Sequence, residues 1–406
     1  MSEWKELSSI TSKIGSGLTP RGGNSVYTDN GISLIRSQNV LDMDFSTENL
    51  AYIDEVQAEK LKNVIVEKND ILLNITGDSI ARCTIVPEEI LPARVNQHVS
   101  IIRCKNTEQS KYVMYYLQYI KKYLLQISKV GGTRNALTKE AISKLPIKIS
   151  EDWNRISTIL DNIDRKIKIN NQINLELEAM AKILYDYWFV QFDFPDQNGN
   201  PYKSSGGKMV YNPELKREIP EGWGVEKLGD ISQYVTEKVD SFELNIENYV
   251  GTDNMIADMG GIELTTSIPK SGTSTKFSVG DILISNIRPY FKKIWLSDRT
   301  GGCSADVLCI RTNRIIPKEF VYATLARDDF FNYDVAGSKG SKMPRGDKKH
   351  IMEYPVVFEF GIVEQYSEIV KPIYEAVHKN NNQNQELTQL RDWLLPMLMN
   401  GQVKVE

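Results

Sequence analysis

The chain repeats itself, and this duplication restricts the folds open to it more than any other feature of the sequence. Four short segments recur in the same order in both halves, offset by about 210 residues. The first pair, residues 4–10 and 223–231, begins with a tryptophan and continues to a leucine and an isoleucine. The second pair, residues 69–75 and 280–286, is a turn that leads into a short apolar strand.

The other two pairs lie near the end of each half. Residues 131–135 and 340–345 are glycine-bracketed loops with basic residues, and residues 145–147 and 354–356 each centre on a proline. Two copies, each too long to be the unit of a solenoid, indicate a gene duplication. Because 406 residues also exceed what one hydrophobic core usually serves, we expect two similar domains.

Each half ends in a stretch whose apolar residues are spaced alternately by four and three, which is the heptad pattern of a coiled coil. Both stretches carry two asparagines at matching seam positions, namely Asn170, Asn174, Asn380 and Asn384. In a buried seam, such asparagines would fix the register and the partner of the helices at some cost in stability. The alternative is that they face solvent because the helices splay or turn there.

These observations predict an α+β protein. Each domain is expected to combine a mixed sheet with short helices, and two long antiparallel coiled-coil helices are expected to join the domains in a pseudo-twofold repeat. The predicted segments are a first domain at 1–150, a first long helix within 151–192, a connecting loop at 193–222, a second domain at 223–358, and a second long helix and tail at 359–406. The helices themselves are expected at about 152–190 and 361–399.

The distribution of charge indicates what the domains bind. A net charge of −4 argues against binding a polyanion, but residues 121–148 contain seven Lys and Arg residues and one acid, and residues 339–349 repeat this surplus. Such loops offer cations, hydroxyls and backbone N–H groups to phosphates, so we predict DNA contacts there, with an ordinary solvated surface as the alternative. The candidates are Lys129, Thr133, Arg134, Asn135, Ser338, Lys339, Ser341, Lys342, Arg345 and Lys348.

A second group of side chains has the donors and acceptors that distinguish base edges in the major groove. This group comprises Arg36, Gln38, Asn39, Asn74, Arg94, Asn96, Gln97, Asn254, Asn286 and Arg288. We interpret its members as candidates for reading sequence, and for each one alone an ordinary surface position is the alternative.

Motifs for catalysis are missing. The sequence has no Gly-x-x-x-x-Gly-Lys-Ser/Thr loop for nucleotides, and its three histidines are too scattered to suggest a metal site. Asp196, Glu214 and Lys216 imitate the carboxylate spacing of magnesium-dependent nucleases, but they lie in the turn-rich connector, so we expect neither catalysis nor a bound metal. No apolar run approaches the roughly 18 residues of a membrane helix, which predicts a cytoplasmic protein without a membrane partner.

Two segments carry a resemblance to a known family. The connector, residues 192–210 with 218–223, and the ending, residues 390–401, resemble the specificity subunits of type I restriction–modification systems. The resemblance implies two target-recognition domains that read a bipartite, asymmetric site in double-stranded DNA, with the helices setting the spacer. It also implies two adenine-methyltransferase subunits that use S-adenosylmethionine, and restriction/translocase subunits that use ATP and Mg²⁺, with no cofactor in this chain.

Three other functions stay open on the sequence alone. The chain would also suit the specificity subunit of a related type II system, in which methylation and cleavage reside on one partner chain. It would act as a nuclease if Asp196, Glu214 and Lys216 held a metal. It would be a protein–protein adaptor if the duplicated domains never touched DNA, although the paired basic loops disfavour this.

Overall fold

The computed structural model describes residues 3–20, 22–129, 135–313, 315–340 and 342–403. The chain forms two compact units. Unit 1 consists of Met1–Asn170 and Gln383–Glu406, and unit 2 consists of Asn171–Asn382. Each unit therefore includes part of both long helices in addition to its own sheets.

Unit 1 is built from short strands and short helices. Its strands are β1 (Glu3–Glu6), β2 (Thr11–Ser16), β3 (Ile32–Ile35), β4 (Ala51–Ile53), β5 (Ile65–Val66), β6 (Ile71–Asn74), β7 (Cys83–Ile85), β8 (Ala93–Val95), β9 (Val99–Cys104) and β10 (Pro146–Ile149). Its short helices are Leu7–Ile10, Glu55–Lys60, Ser110–Tyr119, Lys121–Ile127 and Lys139–Ser143. The strands form a β1-β10 pair and two four-stranded sheets, in the orders β2-β9-β6-β7 and β4-β3-β8-β5.

Unit 2 contains the same kinds of element and an additional hairpin. Its strands are β11 (Met209–Asn212), β12 (Arg217–Pro220), β13 (Gly224–Lys227), β14 (Ser232–Tyr234), β15 (Lys238–Asp240), β16 (Tyr249–Val250), β17 (Thr273–Phe277), β18 (Ile282–Ser285), β19 (Ile294–Leu296), β20 (Gly301–Cys303), β21 (Val307–Thr312) and β22 (Pro355–Phe358). Its short helices are Leu228–Ile231, Lys318–Leu325, Asp328–Gly337 and Lys348–Met352. The hairpin β11-β12 lies in the predicted connector.

The two units share the strand order of one four-stranded sheet and of one strand pair. The antiparallel sheet β2-β9-β6-β7 of unit 1 corresponds to β14-β21-β18-β19 of unit 2, and the pair β1-β10 corresponds to β13-β22. The other four-stranded sheet contains one parallel pair in each unit, β3 with β8 and β16 with β20. The segments matched in the sequence, residues 69–75 and 280–286, contain β6 and β18. The predicted α+β class and internal repeat are confirmed.

The long helices begin and end close to the predicted residues. The first runs over Trp153–Tyr185 and continues as a π-helical turn, Asp186–Val190, and the second runs over Phe360–Asn400. In unit 1, Asp164 accepts a hydrogen bond from Arg391 at 2.9 Å. Further along, Asn170 donates to Asn384 at 2.9 Å. Because rising numbers on one helix meet falling numbers on the other, the helices are antiparallel in unit 1.

The helices are antiparallel in unit 2 as well. Asn174 donates to Asn381 at 2.7 Å, and the Tyr366 hydroxyl donates to the Ala181 carbonyl at 3.4 Å. Each unit has apolar cores of its own, which are formed by the sheets, the short helices and the apolar seam of the helix pair. Within the described ranges, no helix is long and apolar enough to cross a membrane.

Candidate nucleic-acid interface

Unit 1 carries a groove of about 880 Å³ whose walls include several polar residues. The groove is lined by loops that follow β3 and β6, precede β9 and precede the helix Lys139–Ser143, and its residues are Ser37, Gln38, Thr76, Gly77, Asp78, Ser79, Arg82, His98, Asn135 and Ala136. The Thr76 hydroxyl oxygen lies 2.5 Å from Nδ1 of His98, which holds two sides of the groove together. Hydroxyls, amides and a guanidinium are the groups that contact phosphates and base edges.

One wall of the groove is a turn that recurs in unit 2. In unit 1 the turn follows β6 and closes where the Asn74 N–H donates to the Arg82 carbonyl at 2.9 Å. In unit 2 it follows β18 and closes where the Ser285 N–H donates to the Lys293 carbonyl at 3.0 Å. We call residues 75–81 and 286–292 the site turns of units 1 and 2.

Left-handed residues occupy the same two positions in both site turns. Gly77 and Ala81 have φ of 77° and 67° in unit 1, and Arg288 and Lys292 have φ of 51° and 50° in unit 2. Left-handed φ is unusual in residues other than glycine and persists where the surrounding structure enforces it. The turn is therefore a property of the duplicated scaffold, while its side chains differ between units.

In both units the site turn pairs with the loop that the sequence predicts to bind phosphate. An isolated antiparallel bridge joins Thr76 to Ala136 in unit 1, and another joins Ile287 to Arg345 in unit 2. Ala136 is therefore the structural counterpart of Arg345, so the two basic loops place different residue types at this position. Thr133, Arg134 and Ser341, which were also predicted to bind DNA, lie outside the described residues.

The basic loop of unit 2 presents cations to solvent. Lys339, Lys342, Arg345 and Lys348 are all exposed. Lys339 pairs with Asp347 at 2.5 Å, and Arg345 pairs with an acid of the loop before β21 at 3.0 Å. Hydrogen bonds from the Lys339 side chain and from two backbone N–H groups lower the pKa of Asp347 to about 2. Asp347 thus caps the helix Lys348–Met352 as a carboxylate and keeps the loop closed.

Comparison with known proteins shows which family the chain resembles. Residues 6–179 match the model of the type I restriction modification DNA specificity domain. The chain is 26% identical, over 78% of its length and 74% of the relative's, to the type I restriction enzyme MjaIX specificity subunit of Methanocaldococcus jannaschii. It is 22% identical to the HindI specificity subunit of Haemophilus influenzae, over 99% of this chain and all of that subunit (100%).

Over most of its length the chain is therefore similar to the specificity subunits of type I restriction–modification systems. The crystal structure of the S subunit of such a system from M. genitalium has the same fold. Its TM-score is 0.59 at 13% identity, over 98% of this chain and 96% of that one.

Several predicted contacts of unit 1 lie at the surface. Gln38, Gln97, Lys129 and Asn135 are exposed, and Gln38 and Asn135 line the groove. Arg36 is half-buried, and its guanidinium donates to a loop carbonyl and lies 5.5 Å from the centre of a tyrosine ring. Gln97 is hydrogen-bonded to His98 at 2.9 Å, which brings it next to the groove. Their contact with bases stays a prediction.

Burial corrects part of the base-reading prediction. Asn39 and Asn74 have no exposed surface, and their amides donate to main-chain carbonyls of the loop after β3 at 2.8–3.2 Å. Arg94 is buried and donates to two main-chain carbonyls at 3.2 and 3.0 Å. Asn96 and Asn254 are also buried and accept main-chain N–H groups at 3.0 and 2.7 Å. These five side chains shape loops, because they are buried and their hydrogen bonds go to the main chain of the protein.

Asn286, another candidate, also points inward. Its side-chain oxygen and both carboxyl oxygens of the fully buried Asp334 have no hydrogen-bond partner among the described residues. A Cβ on Gly346 would come within 2.4 Å of Asp334 Oδ1 and 2.9 Å of Asn286 Oδ1, so only glycine fits there. Burial raises the pKa of Asp334 to about 6, and nearby His350 partly opposes this. Asn286 thus belongs to a polar cluster beneath the basic loop.

The remaining candidates of unit 2 lie at the edges of the site. Arg288 is half-buried in the site turn, where its backbone N–H donates to the Pro344 carbonyl at 2.8 Å. Ser338 is half-buried, and its hydroxyl donates to the Val335 carbonyl at 2.8 Å, so it ends a helix.

The predicted seam asparagines face each other within each unit. In unit 1, Asn170 is fully buried and donates to Gln383 and Asn384, both at 2.9 Å. In unit 2, Asn174 is buried and accepts a hydrogen bond from Asn380 at 2.8 Å. Their positions exclude the solvent-facing alternative for Asn170 and Asn174, and their role in setting register stays a prediction.

The residues of the nuclease alternative lie on the connector. The Asp196 carboxylate accepts the N–H groups of Asn198 and Asn200, both at 2.8 Å, and so stabilises its own turn. Glu214 and Lys216 are exposed on the turn between β11 and β12. In the part of the chain that the structure describes, no three His, Cys, Asp or Glu side chains are grouped to hold a metal.

The sequence interpretation missed the site turns themselves. Thr76, Asp78, Ser79, Arg82 and His98 line the groove, and none of them was a candidate. A signal was present, because both turns directly follow the matched strand segments, where a duplicated scaffold would place its variable loops.

Proposed function

We propose that this chain binds double-stranded DNA as the sequence-specific subunit of a type I restriction–modification complex, and that each unit contacts one half of a bipartite, asymmetric site. The observation that carries the proposal is the pair of site turns. They share a closing hydrogen bond and two left-handed positions but carry different side chains, and each is bridged to the predicted basic loop of its unit. Two turns at equivalent positions with different side chains suit two half-sites of different sequence.

The phosphate contacts are assigned to the basic loops. In unit 2, Lys342 and Lys348 are exposed, and Lys339 and Arg345 are engaged only in pairs at the surface, which solvent screens. Phosphates compete readily for such cations, because DNA carries a dense line of charge. A local surplus of this kind offsets the net charge of −4 that argued against DNA binding.

The partners we propose are two adenine-N6 methyltransferase subunits and the restriction/translocase subunits. In this arrangement S-adenosylmethionine, ATP and Mg²⁺ belong to those partners, and this chain recognises DNA in the cytoplasm without catalysing a reaction. The support is the naming of its relatives, which are specificity subunits of type I restriction enzymes.

The decisive experiment is to map N6-methyladenine in the genome with and without this gene. The chain is co-expressed with its neighbouring methyltransferase, and single-molecule sequencing reads the modified sites. We expect one split motif to be methylated, and the methylation to vanish when the gene is deleted. The proposal would be contradicted if the two maps were identical although, in the strain that carries the gene, this chain assembles with two methyltransferase subunits.

A further inference from the structure

The tip of the site turn of unit 2 carries two exposed aromatic side chains. Tyr290 is 48% exposed and Phe291 is 39% exposed, and their ring centres lie 4.8 Å apart. Burial of aromatic rings away from water is favourable. A pair of exposed rings at a binding site therefore indicates a surface that a ligand covers.

The backbone holds these rings in place before any ligand binds. Pro289 is buried and fixes the first residue of the tip, and the Phe291 N–H donates to the Arg288 carbonyl at 2.9 Å. The Lys292 N–H donates in the same way to the Pro289 carbonyl at 2.9 Å. Left-handed φ at Arg288 and Lys292 bounds the tip on both sides. A rigid tip loses little entropy on binding, which favours ring stacking.

One cation lies beside the Phe291 ring, and a second belongs to the loop that is bridged to this turn. The ammonium of Lys293 lies 6.0 Å from the centre of the Phe291 ring. Ile287, two residues after the end of β18, is bridged to Arg345, whose guanidinium is more than half exposed at 55%. Aromatic rings interleaved with cations are typical of surfaces that bind nucleic acid, where bases stack on the rings and phosphates meet the charges. An apolar protein surface would gain nothing from these charges.

Unit 1 offers a natural contrast at the same position. The tip of its site turn is Asp78, Ser79 and Ile80, between the left-handed residues Gly77 and Ala81. Asp78 and Ser79 line the groove with polar atoms, and Ile80 is buried. The turn of unit 1 therefore presents hydrogen-bonding groups where the turn of unit 2 presents rings.

We propose that Tyr290 and Phe291 stack on a base of the half-site bound by unit 2, by entering a step that the DNA unstacks. This inference rests on the proposed DNA-binding function. A pyrimidine–purine step is the expected target, because it unstacks most easily. The half-site bound by unit 1 is then read without such stacking.

The test is a double-mutant cycle between protein and DNA. The complete complex of this chain with its methyltransferase partners is titrated against duplexes of the mapped motif, in which one abasic residue is moved through both half-sites. Removal of the stacked base should weaken binding of the wild-type complex by about ten-fold or more. In the double variant Tyr290→Ala with Phe291→Ala, removal of that same base should have no further effect.

Two variants serve as controls. Tyr211→Ala removes a 60% exposed aromatic ring from β11 of the connector hairpin, and it should leave the abasic profile unchanged. Tyr290→Phe keeps a ring at the tip and should retain the coupling. Co-purification of the methyltransferase partners shows that each variant still folds and assembles.

Each outcome decides the inference. The stacking is overturned if the abasic residue weakens binding of the wild type and of the double alanine variant equally at every position while specific binding is intact. The proposed function is then unaffected. If the double alanine variant unfolds at the same temperature as the wild type but loses the methyltransferase partners, the rings contact protein, and this also overturns the stacking. If the wild-type complex binds the motif no better than random DNA, the proposed function fails and the inference fails with it.

Discussion

Arg103 and Asp70 form a two-point ion pair inside unit 1, with Nε–Oδ1 and Nη2–Oδ2 distances of 2.8 Å. Arg311 and Asp281 repeat it in unit 2 at 2.7 and 2.8 Å. Both aspartates are buried, and each also accepts the backbone N–H of the residue three positions earlier at 2.7 Å. The pair therefore ties the turn before β6 or β18 to the neighbouring strand.

This arrangement predicts a large loss of stability when one partner is removed. Asp281→Ala leaves the Arg311 guanidinium without its buried partner, and such a change typically costs about 3–5 kcal/mol. Urea unfolding of the chain in its complex measures the cost. The control is Glu59→Ala, which breaks an exposed surface pair with Lys62 and should change little. Equal effects for the two variants would show that the buried pair is not structural.

The basic loop of unit 2 predicts the salt dependence of DNA binding. Replacing Lys342 and Arg345 together with alanine removes two phosphate contacts, so affinity should fall for all sequences alike. The slope of log K against log salt should decrease by about two, because each contact contributes about 0.9. Fluorescence anisotropy over a series of salt concentrations gives the slope. With Lys62→Ala as the control, a slope unchanged in the double variant would remove this loop from the interface.

The buried carboxyl of Asp334 predicts a dependence of stability on pH. Its pKa in the folded protein is about 6, against 3.8 for the unperturbed group. Between these values the folded chain keeps a proton that the unfolded chain has lost, so stability falls as pH rises from about 4 and the penalty is complete above about pH 6. Asp334→Asn abolishes this penalty and should stabilise the chain at pH 7 by up to about 3 kcal/mol.

Thermal unfolding between pH 4 and pH 8 measures this effect. At pH 4 Asp334 is mostly neutral in the folded protein, so the wild type and Asp334→Asn should unfold at similar temperatures there. A constant difference between them at every pH would show that the ionisation of Asp334 does not affect folding.

The seam asparagines are predicted to determine how the long helices pair, more than how stable the chain is. Asn170→Leu places an apolar side chain at a fully buried seam position, so the free energy of unfolding should stay within about 1 kcal/mol of wild type or rise. The expected defect is self-association through mispaired helices, detected by light scattering. Gln172→Leu, at an exposed position of the same helix, is the matched control. A strictly monomeric Asn170→Leu chain with a large loss of stability would contradict the role in register.

Sequence periodicity predicted the long helices well because an apolar seam repeats over many turns. Helices expected at about 152–190 and 361–399 are found at Trp153–Tyr185, with its π-helical extension, and at Phe360–Asn400. The site was harder to predict. Asn74 and Gln38 look alike as candidates, yet Asn74 turns inward to a carbonyl 37 residues away in sequence. Such burial depends on which loops the sheets bring together, and no local pattern encodes it.

The site turns also bear on how such a protein acquires new targets. Their ends are held by backbone hydrogen bonds, which include Asn74 to Arg82 in unit 1 and Ser285 to Lys293 in unit 2, and the three residues at each tip take no part in the sheets. Substitutions at the tips therefore change what touches the ligand while the strands stay as they are. The tip of each site turn is therefore a short segment that evolution or protein design can exchange. The tip of one unit can change without a change in the other.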